Sequence, residues 1–223
     1  MTASSDRAEA AGRQLPATLP KITLHHGEAL WVLSNLGFQG SASRPTFYEY
    51  IKSLRKLGTP FDRGSIGYGR RGLANYSYRH LMELTLVLTL RVYNVVPDSV
   101  ITEIIKYRSR LYTLYHRAYA ERADKSGAPI WLSANENDPI CMQGAFLDLQ
   151  IDFSGGKLTA FGPPKLLSPY DALTVFVERD LAARALLPIN LSQLSERLVA
   201  MALRAPKIQR GNRIADGTRQ HQF

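Results

Sequence analysis

The chain has 223 residues, 45% of them hydrophobic, and a formal charge of +9, so we expect one or two domains with a sizeable core and a polyanionic partner, nucleic acid before an acidic membrane surface. Its single cysteine, Cys141, excludes a disulfide framework within the chain and a cysteine-based zinc site. No apolar run approaches the roughly 18 residues of a membrane helix, and residues 1–20 lack the apolar core of a signal peptide, which predicts a cytoplasmic protein without a membrane partner.

The N-terminal part of the sequence predicts a disordered segment followed by a short helix. Residues 1–20 are rich in Ala, Ser, Arg and Pro and show no periodicity. Three leucines recur at helical spacing over 27–37, and Gly37 suits a left-handed helix stop.

A second helix is predicted between Ser43, which can cap its N-terminus, and Gly58, which can end it. We expect one apolar face to be buried, formed by Phe47, Ile51, Leu54 and Leu57. The opposite face supplies candidates for DNA contact, namely Arg44, Thr46, Tyr48, Lys52, Arg55 and Lys56. Two short helices, a tight turn and a basic outer face are the layout of a helix-turn-helix. Two amphipathic core helices with a solvated face have the same pattern.

The segment 65–81, SIGYGRRGLANYSYRHL, contains Gly67, Gly69 and Gly72 in the G-x-G-x-x-G pattern of phosphate-binding loops. A dinucleotide-binding loop must follow a buried strand and open a helix directly. The preceding GTPFDRGSI is no buried strand, and the next helical pattern begins only at Ser77. The context therefore argues against a nucleotide pocket.

We interpret the same segment as a β-hairpin wing with strands SIGY and LANY and the tip GRRG. Arg70 and Arg71 at the tip would lie against phosphates or in a minor groove. Over 44–80, eight basic residues stand against only Glu49 and Asp62, so the positive charge is clustered. The other candidates for DNA contact here are Arg63, Tyr68, Tyr76, Tyr78, Arg79 and His80.

Two more helices are predicted after the wing. The first begins after Ser77, and the second is a long helix over 97–125. A heptad-like seam on the long helix is formed by Ile101, Ile104, Arg108, Leu111, Tyr115 and Ala118. Such a helix could pair with a second copy as an antiparallel coiled coil, which would make the protein a homodimer, or pack against its own C-terminal part.

These residues, in this order, resemble the winged helix-turn-helix of MerR-type transcription regulators. The resemblance rests on Tyr76-Ser77, Leu81, Leu84, Leu90-Arg91, Asn94, Val100 and Ile104, and on Thr46 and Tyr50 in the second helix. It covers 22–119, where Tyr48 takes the place of the family's recognition-helix arginine. It implies a DNA-binding domain over 21–96, double-stranded DNA as a partner, a homodimer, and contact with RNA polymerase or another DNA-bound protein.

The rest of the chain predicts an α/β unit over 126–204 and a basic flexible tail over 205–223. Alternation over 145–161 indicates a β-hairpin, with Asp148 and Asp152 on its exposed face. Helices are expected after Ser168, running through SPYDALTVFVERDLAARALL, and after Asn190.

Together these patterns predict a mainly α protein with small β elements (α+β): a winged helix-turn-helix, a long helix, and a C-terminal β-hairpin with helices. We expect no cofactor, no metal site and no enzymatic activity, because the histidines are scattered and no nucleophile motif occurs. The predicted function is a sequence-specific, DNA-binding transcription regulator associated with the nucleoid. The alternatives are an excisionase-like recombination directionality factor and a protein–protein adaptor whose basic face meets an acidic partner.

Overall fold

A computed structural model of the protein describes residues 19–62, 75–92, 98–123, 130–132, 140–142, 144–154, 157–178, 184–186 and 189–207. The helices in these ranges are α1 (His26–Asn35), α2 (Arg44–Leu57), α3 (Tyr78–Val92), α4 (Asp98–Lys106), α5 (Arg108–Ala123), α6 (Pro169–Glu178) and α7 (Leu191–Leu203). The strands are β1 (Thr23–Leu24), β2 (Tyr76–Ser77), β3 (Ile130–Leu132), β4 (Ile140–Met142), β5 (Phe146–Asp148), β6 (Gln150–Ser154), β7 (Lys157–Phe161), β8 (Lys165–Leu167), β9 (Arg184–Leu186) and β10 (Ile189–Asn190). The described part is mainly helical with small antiparallel sheets, which confirms the α+β class.

The first two helices begin and end where local chemistry predicts. At the start of α2, the Ser43 hydroxyl accepts a hydrogen bond from the Thr46 backbone N–H at 3.4 Å. Gly37, just after α1, and Gly58, at the end of α2, adopt positive φ angles of 94° and 98°, the conformation of a glycine helix stop. The apolar face of α2 packs into the core, which leaves its basic face toward solvent.

α3 lies at the centre of the core. Its apolar pattern predicts one buried face, yet every residue from Leu81 to Leu88 is buried, including Glu83 and Thr85. The reason is that other helices cover α3 from more than one side, because both α5 and α7 contact it. The Thr85 hydroxyl donates to the Leu81 carbonyl within the helix, which satisfies this polar group.

The prediction of one long helix over 97–125 is wrong. α4 ends at Lys106 and α5 begins at Arg108. At the break, the Tyr107 N–H donates to the Ile104 carbonyl at 2.9 Å, which closes a tight turn. The break directs the Arg108 guanidinium toward Glu83 inside the protein, and their ion pair at 2.7 Å favours the change of direction.

The apolar residues of the predicted coiled-coil seam are buried within the chain. Leu111, Tyr115 and Ala118 of α5 belong to the core, where α5 packs against α7. Of the two partners predicted for this seam, the chain's own C-terminal part is the one observed. These side chains are therefore not free to pair with a second copy.

α7 joins the two parts of the chain into one core. The sequence places α7 in the unit over 126–204, but α7 contacts α1 and α3 as well as α5. Its cap is as predicted, because the Asn190 side chain accepts from the Gln193 backbone N–H at 2.9 Å. The apolar face of α7 thus covers the helices of the predicted DNA-binding domain.

The C-terminal strands belong to separate sheets. β6 and β7 form the predicted hairpin, and β9 pairs with the other edge of β6. β5 instead lies between β8 and β10. Asp148 in β5 is buried, so its predicted place on an exposed face is wrong. Residues 184–186 form β9, where a continuing helix was expected, because their pairing with β6 outweighs local propensity.

Gly144 is a position where only glycine fits. Its φ is +107°, and a Cβ atom here would lie 2.9 Å from the Ser192 Cβ and 3.0 Å from the Asn190 Oδ1. We expect Gly144→Ala to lower the free energy of unfolding by about 2–4 kcal/mol. The backbone strain at a positive φ and the overpacking against the start of α7 both contribute to this loss. Urea unfolding measures the change.

Gly40→Ala is the matched control for Gly144→Ala. Its φ is also positive, +55°, but a Cβ there has no neighbour within 4 Å. Its expected cost is about 1 kcal/mol, from the backbone alone. Equal losses in the two variants would contradict the steric account.

Candidate nucleic-acid interface

The exposed face of α2 carries a row of four side chains at i, i+4 spacing. Arg44, Tyr48, Lys52 and Lys56 are all exposed, and Tyr48 is 41% accessible although it is a large aromatic residue. Residues at this spacing lie above one another on a helix, and four of them extend over about 18 Å. Arg55, half-buried, lies beside the row. We call these five residues the basic row.

Acidic groups compensate little of this charge. Glu49 is on the same helix and pairs with Lys52 at 3.2 Å, and both side chains are largely exposed. An exposed pair of this kind contributes little stability and exchanges readily for another partner. In the part of the chain that the structure describes, Arg44, Arg55 and Lys56 form no ion pair. The positive charges of the basic row are therefore available to interact with an anionic ligand.

One flank of the basic row is held by a chain of ring contacts. The Tyr48 ring lies edge-on to His26 at 5.3 Å between ring centres, and His26 stacks on Tyr76 at 5.8 Å. Phe61 contacts Tyr76 at 5.1 Å and His80 at 4.6 Å. These rings belong to α2, the start of α1, β2, the segment after α2, and the start of α3. They fix the flank of α2 against the elements around it.

A hydrogen bond joins His26 and Tyr76 inside this chain of rings. The His26 Nδ1 and the Tyr76 hydroxyl are 2.9 Å apart. Burial, and next the Arg55 guanidinium, lower the pKa of His26 to about 4. Burial raises the pKa of Tyr76 to about 12, although Arg55 acts against it. Both side chains are therefore neutral at pH 7.

The lowered pKa of His26 predicts acid destabilisation. The unfolded chain takes up a proton at the ordinary histidine pKa, near 6.5, whereas folded His26 takes it up only near 4. The contribution of neutral His26 to the free energy of unfolding is therefore fully present above about pH 6.5, and it is lost as the pH falls from about 6.5 to about 4. We expect a loss of about 2 kcal/mol between pH 7 and 4.5, allowing for partial exposure.

Urea unfolding of the wild type and of His26→Gln at both pH values checks this expectation. His80 titrates in the same direction, because burial lowers its pKa too. The contribution of His26 is therefore the difference between the wild type and His26→Gln in how the free energy of unfolding changes with pH. A pH dependence that is the same in both would contradict the assignment to His26.

α2 is anchored at its inner edge by Arg91 of α3. The Arg91 guanidinium stacks over the Tyr50 ring at 5.1 Å and forms an ion pair with Asp98 at the start of α4. This arrangement links α2, α3 and α4. Tyr50 is thereby turned to the inner edge of α2, away from the basic row.

A second anchor holds the C-terminal end of α2. Arg108 donates from Nε and Nη2 to the two oxygens of buried Glu83, at 2.9 and 2.7 Å. It also donates to the Gly58 carbonyl and to the Asp62 carboxylate. The Tyr112 hydroxyl donates to Glu83 at 3.2 Å. The end of α2 is thus tied to both α3 and α5, and we call these five residues the Arg108 cluster.

Two of the tyrosines predicted to contact DNA are core residues. Tyr76 and Tyr78 are fully or almost fully buried. The Tyr78 hydroxyl donates to the Tyr115 carbonyl at 3.0 Å and lies 2.8 Å from the Ser195 hydroxyl. Neither hydroxyl faces solvent, so both residues act through packing rather than contact with a phosphate.

The start of α3 places Arg79 and His80 differently. Arg79 is exposed and lies over the Tyr112 ring at 5.6 Å, so it remains a candidate for DNA contact. His80 is half-buried, its Nδ1 accepts from the Ser77 backbone N–H at 3.3 Å, and burial lowers its pKa. It caps the helix as a neutral ring and supplies no positive charge to a phosphate.

Four other candidates, Arg63, Tyr68, Arg70 and Arg71, lie outside the described residues together with most of the predicted wing, of which Asn75 and Tyr76 are described. The nearest described strand is β2, which pairs antiparallel with β1, Leu24 opposite Tyr76. This pairing was not predicted. It brings the segment before α1 next to the end of the predicted wing.

His26 belongs to this surface but is not among the contact residues predicted from the sequence. In the sequence it is one of two adjacent histidines before a helix. Such histidines more often pack against the protein or face solvent than bind a metal. Its contacts come from Tyr48 and from Tyr76, which is 50 positions away. No local pattern carries that information.

Comparisons with protein-family models, with curated proteins and with solved structures found no match. Among the described residues, none of the helices is both long and apolar enough to span a membrane. That part of the chain also contains no group of three or more His, Cys, Asp or Glu side chains that could hold a metal ion.

Proposed function

We propose that this protein binds double-stranded DNA through α2 and acts as a sequence-specific, MerR-like regulator of transcription. The observation that supports it is the basic row, whose charges have little acidic compensation on a helix anchored along its other edge and at its end. A major groove about 12 Å wide admits a helix. Arginine and lysine can hold phosphates or read guanine, and Tyr48 presents both an apolar ring and a hydroxyl.

The anchoring of α2 matters for such a function. A helix that reads DNA must keep its side chains in a fixed register to the duplex. The Arg91 stack holds α2 from the side opposite to the basic row, and the Arg108 cluster holds its C-terminal end. The conformational entropy of this surface is thus lost on folding, before any DNA is bound, and does not oppose binding.

The test is selection of bound duplexes from a random pool, followed by footprinting and genome-wide mapping of bound sites. A palindromic site near promoters would support a dimeric regulator. Tandem direct sites beside a recombination junction would point to an excisionase-like factor instead. Absence of any protected DNA would overturn the proposal and leave the adaptor.

The predicted wing gives a separate prediction. We expect Arg70→Ala with Arg71→Ala to weaken binding to all sequences alike and to reduce the slope of log K against log salt by about two, because two phosphate contacts are lost. Fluorescence anisotropy over a salt series measures the slope. An unchanged slope would contradict the placement of these arginines at the DNA.

A further inference from the structure

We propose that His26, Tyr48 and Arg55 form a phosphate-binding subsite at the flank of α2, in which the His26 Nε2–H donates a hydrogen bond to one phosphate of the DNA backbone. The inference rests on the proposed function for the identity of that phosphate. It adds a residue of α1 to the interface and gives it a defined chemical role.

The tautomer of His26 follows from its hydrogen bond with the buried hydroxyl of Tyr76. In the part of the chain that the structure describes, this hydroxyl has the His26 Nδ1 as its one hydrogen-bond partner. If Nδ1 carried the proton, the hydroxyl would accept and its own hydrogen would be buried without a partner, at a cost of about 1–3 kcal/mol. When the hydroxyl donates to Nδ1, both groups are satisfied and the ring proton is on Nε2.

Within the described part of the chain, the Nε2 atom is then a donor without a hydrogen-bond acceptor. His26 is partly exposed, and among the described residues nothing forms a hydrogen bond with its Nε2. Burial and the neighbouring Arg55 guanidinium lower the pKa of His26 to about 4, so the ring donates as a neutral group at pH 7.

Tyr48 and Arg55 complete the donor set. They lie seven positions apart, about two helical turns, and so share one flank of α2. Tyr48 contacts the His26 ring, and Arg55 is close enough to shift the pKa of both His26 and Tyr76. The three side chains offer an imidazole N–H, a phenol O–H and a guanidinium.

This chemistry selects an anion rather than a cation. The Arg55 charge repels a metal ion, and the Nδ1 of His26 is already engaged with Tyr76. A tetrahedral anion with several acceptor oxygens can use all three donors. Since the row that these residues flank is itself basic, a backbone phosphate of a bound duplex is the anion that the surface favours.

The experiment uses the full chain and a short duplex obtained by the selection described above. His26→Asn keeps an acceptor near the position of Nδ1 but has no group at the position of Nε2. His26→Gln is the matched variant, because its amide N–H₂ reaches the Nε2 position. We expect His26→Asn to bind about tenfold more weakly and His26→Gln to recover most of that loss.

The salt dependence separates a neutral donor from a charged one. We expect the salt slope of His26→Asn to equal that of the wild type, since a neutral ring displaces no counterion. Arg55→Ala should instead reduce the slope by about one. A reduced slope in His26→Asn would show that His26 binds as a cation and would overturn the assignment.

Scanning the duplex with single methylphosphonate substitutions locates the contact. One position should weaken the wild type more than it weakens His26→Asn, in which Tyr48 and Arg55 still contact the same phosphate. Equal affinity of the wild type and His26→Asn would overturn this inference alone, with urea unfolding of both proteins confirming that they are folded. Failure of the wild type to bind any duplex would overturn the proposed function and this inference with it.

Discussion

Replacing Arg44 and Lys56 together by alanine should weaken DNA binding about 10- to 100-fold at about 0.1 M salt and reduce the salt slope by about two. The two residues are the ends of the basic row, both are exposed, and neither forms an ion pair within the described residues. If α2 binds DNA as proposed, their removal eliminates two counterion-releasing contacts, and it does so without disturbing the core. Fluorescence anisotropy across a salt series gives both quantities.

The matched control removes the same charge from another helix. Arg197 and Arg204 lie exposed on and after α7. Arg197→Ala with Arg204→Ala changes the net charge by the same two units, so a general effect of net charge would appear equally in both double variants. If α2 is the interface, the control should bind nearly as the wild type does. Equal losses in the two variants would contradict the assignment to α2.

Replacing Arg108 by methionine should lower the free energy of unfolding by about 3–5 kcal/mol. Glu83 is 2% exposed, so its carboxylate would be left buried with the Tyr112 hydroxyl as its remaining donor in the cluster. The Gly58 carbonyl and the Asp62 carboxylate would lose the same partner. Urea unfolding followed by circular dichroism measures the loss.

Two further variants separate the buried charge from other effects of Arg108→Met. Lys106→Met is the nearby control, because Lys106 forms an exposed pair with Glu103 and should contribute less than about 1 kcal/mol. Glu83→Leu combined with Arg108→Met removes both charges, and much of the stability should return. Little recovery in this double variant would contradict an account based on an unpaired buried charge.

The pH dependence of Arg108→Met gives an independent readout. Burial raises the pKa of Glu83 even when Arg108 is present and acts in the opposite direction. Without Arg108 the carboxyl should be harder still to ionise. A raised folded pKa means that folding favours the protonated form, so the variant should regain stability, relative to wild type, as pH falls from 7 toward 5. A growing deficit over that interval would contradict this explanation.

The Arg108 cluster also explains why the end of α2 is fixed although Gly58 ends the helix there. The chain would otherwise leave α2 at a flexible residue. Arg108 holds the Gly58 carbonyl and Asp62, four residues later, at one point of α5. Loss of this cluster should therefore affect DNA binding through the position of α2, in addition to its effect on stability.

Helix ends that depend on short-range chemistry were predictable from the amino-acid sequence. Ser43 and Asn190 cap helices through hydrogen bonds to a residue three positions on, and Gly58 stops α2 through its own positive φ. The basic row was likewise predictable, because an amphipathic helix of known length turns its polar residues away from the core. These features need no information from distant parts of the chain.

Which polar and aromatic side chains are buried, and what they contact, depends on how distant segments of the chain pack together. Tyr76 and Tyr78 have an apolar ring and a polar tip, so the same residues suit a DNA surface or a core, and burial depends on what covers them. His26 contacts Tyr76, which is 50 positions away in the sequence, and Arg108 contacts Glu83, which is 25 positions away. The contact between Arg108 and Glu83 also favours the break between α4 and α5. Such contacts arise from packing between elements remote in sequence, and the local pattern of residues is the same whether or not they form.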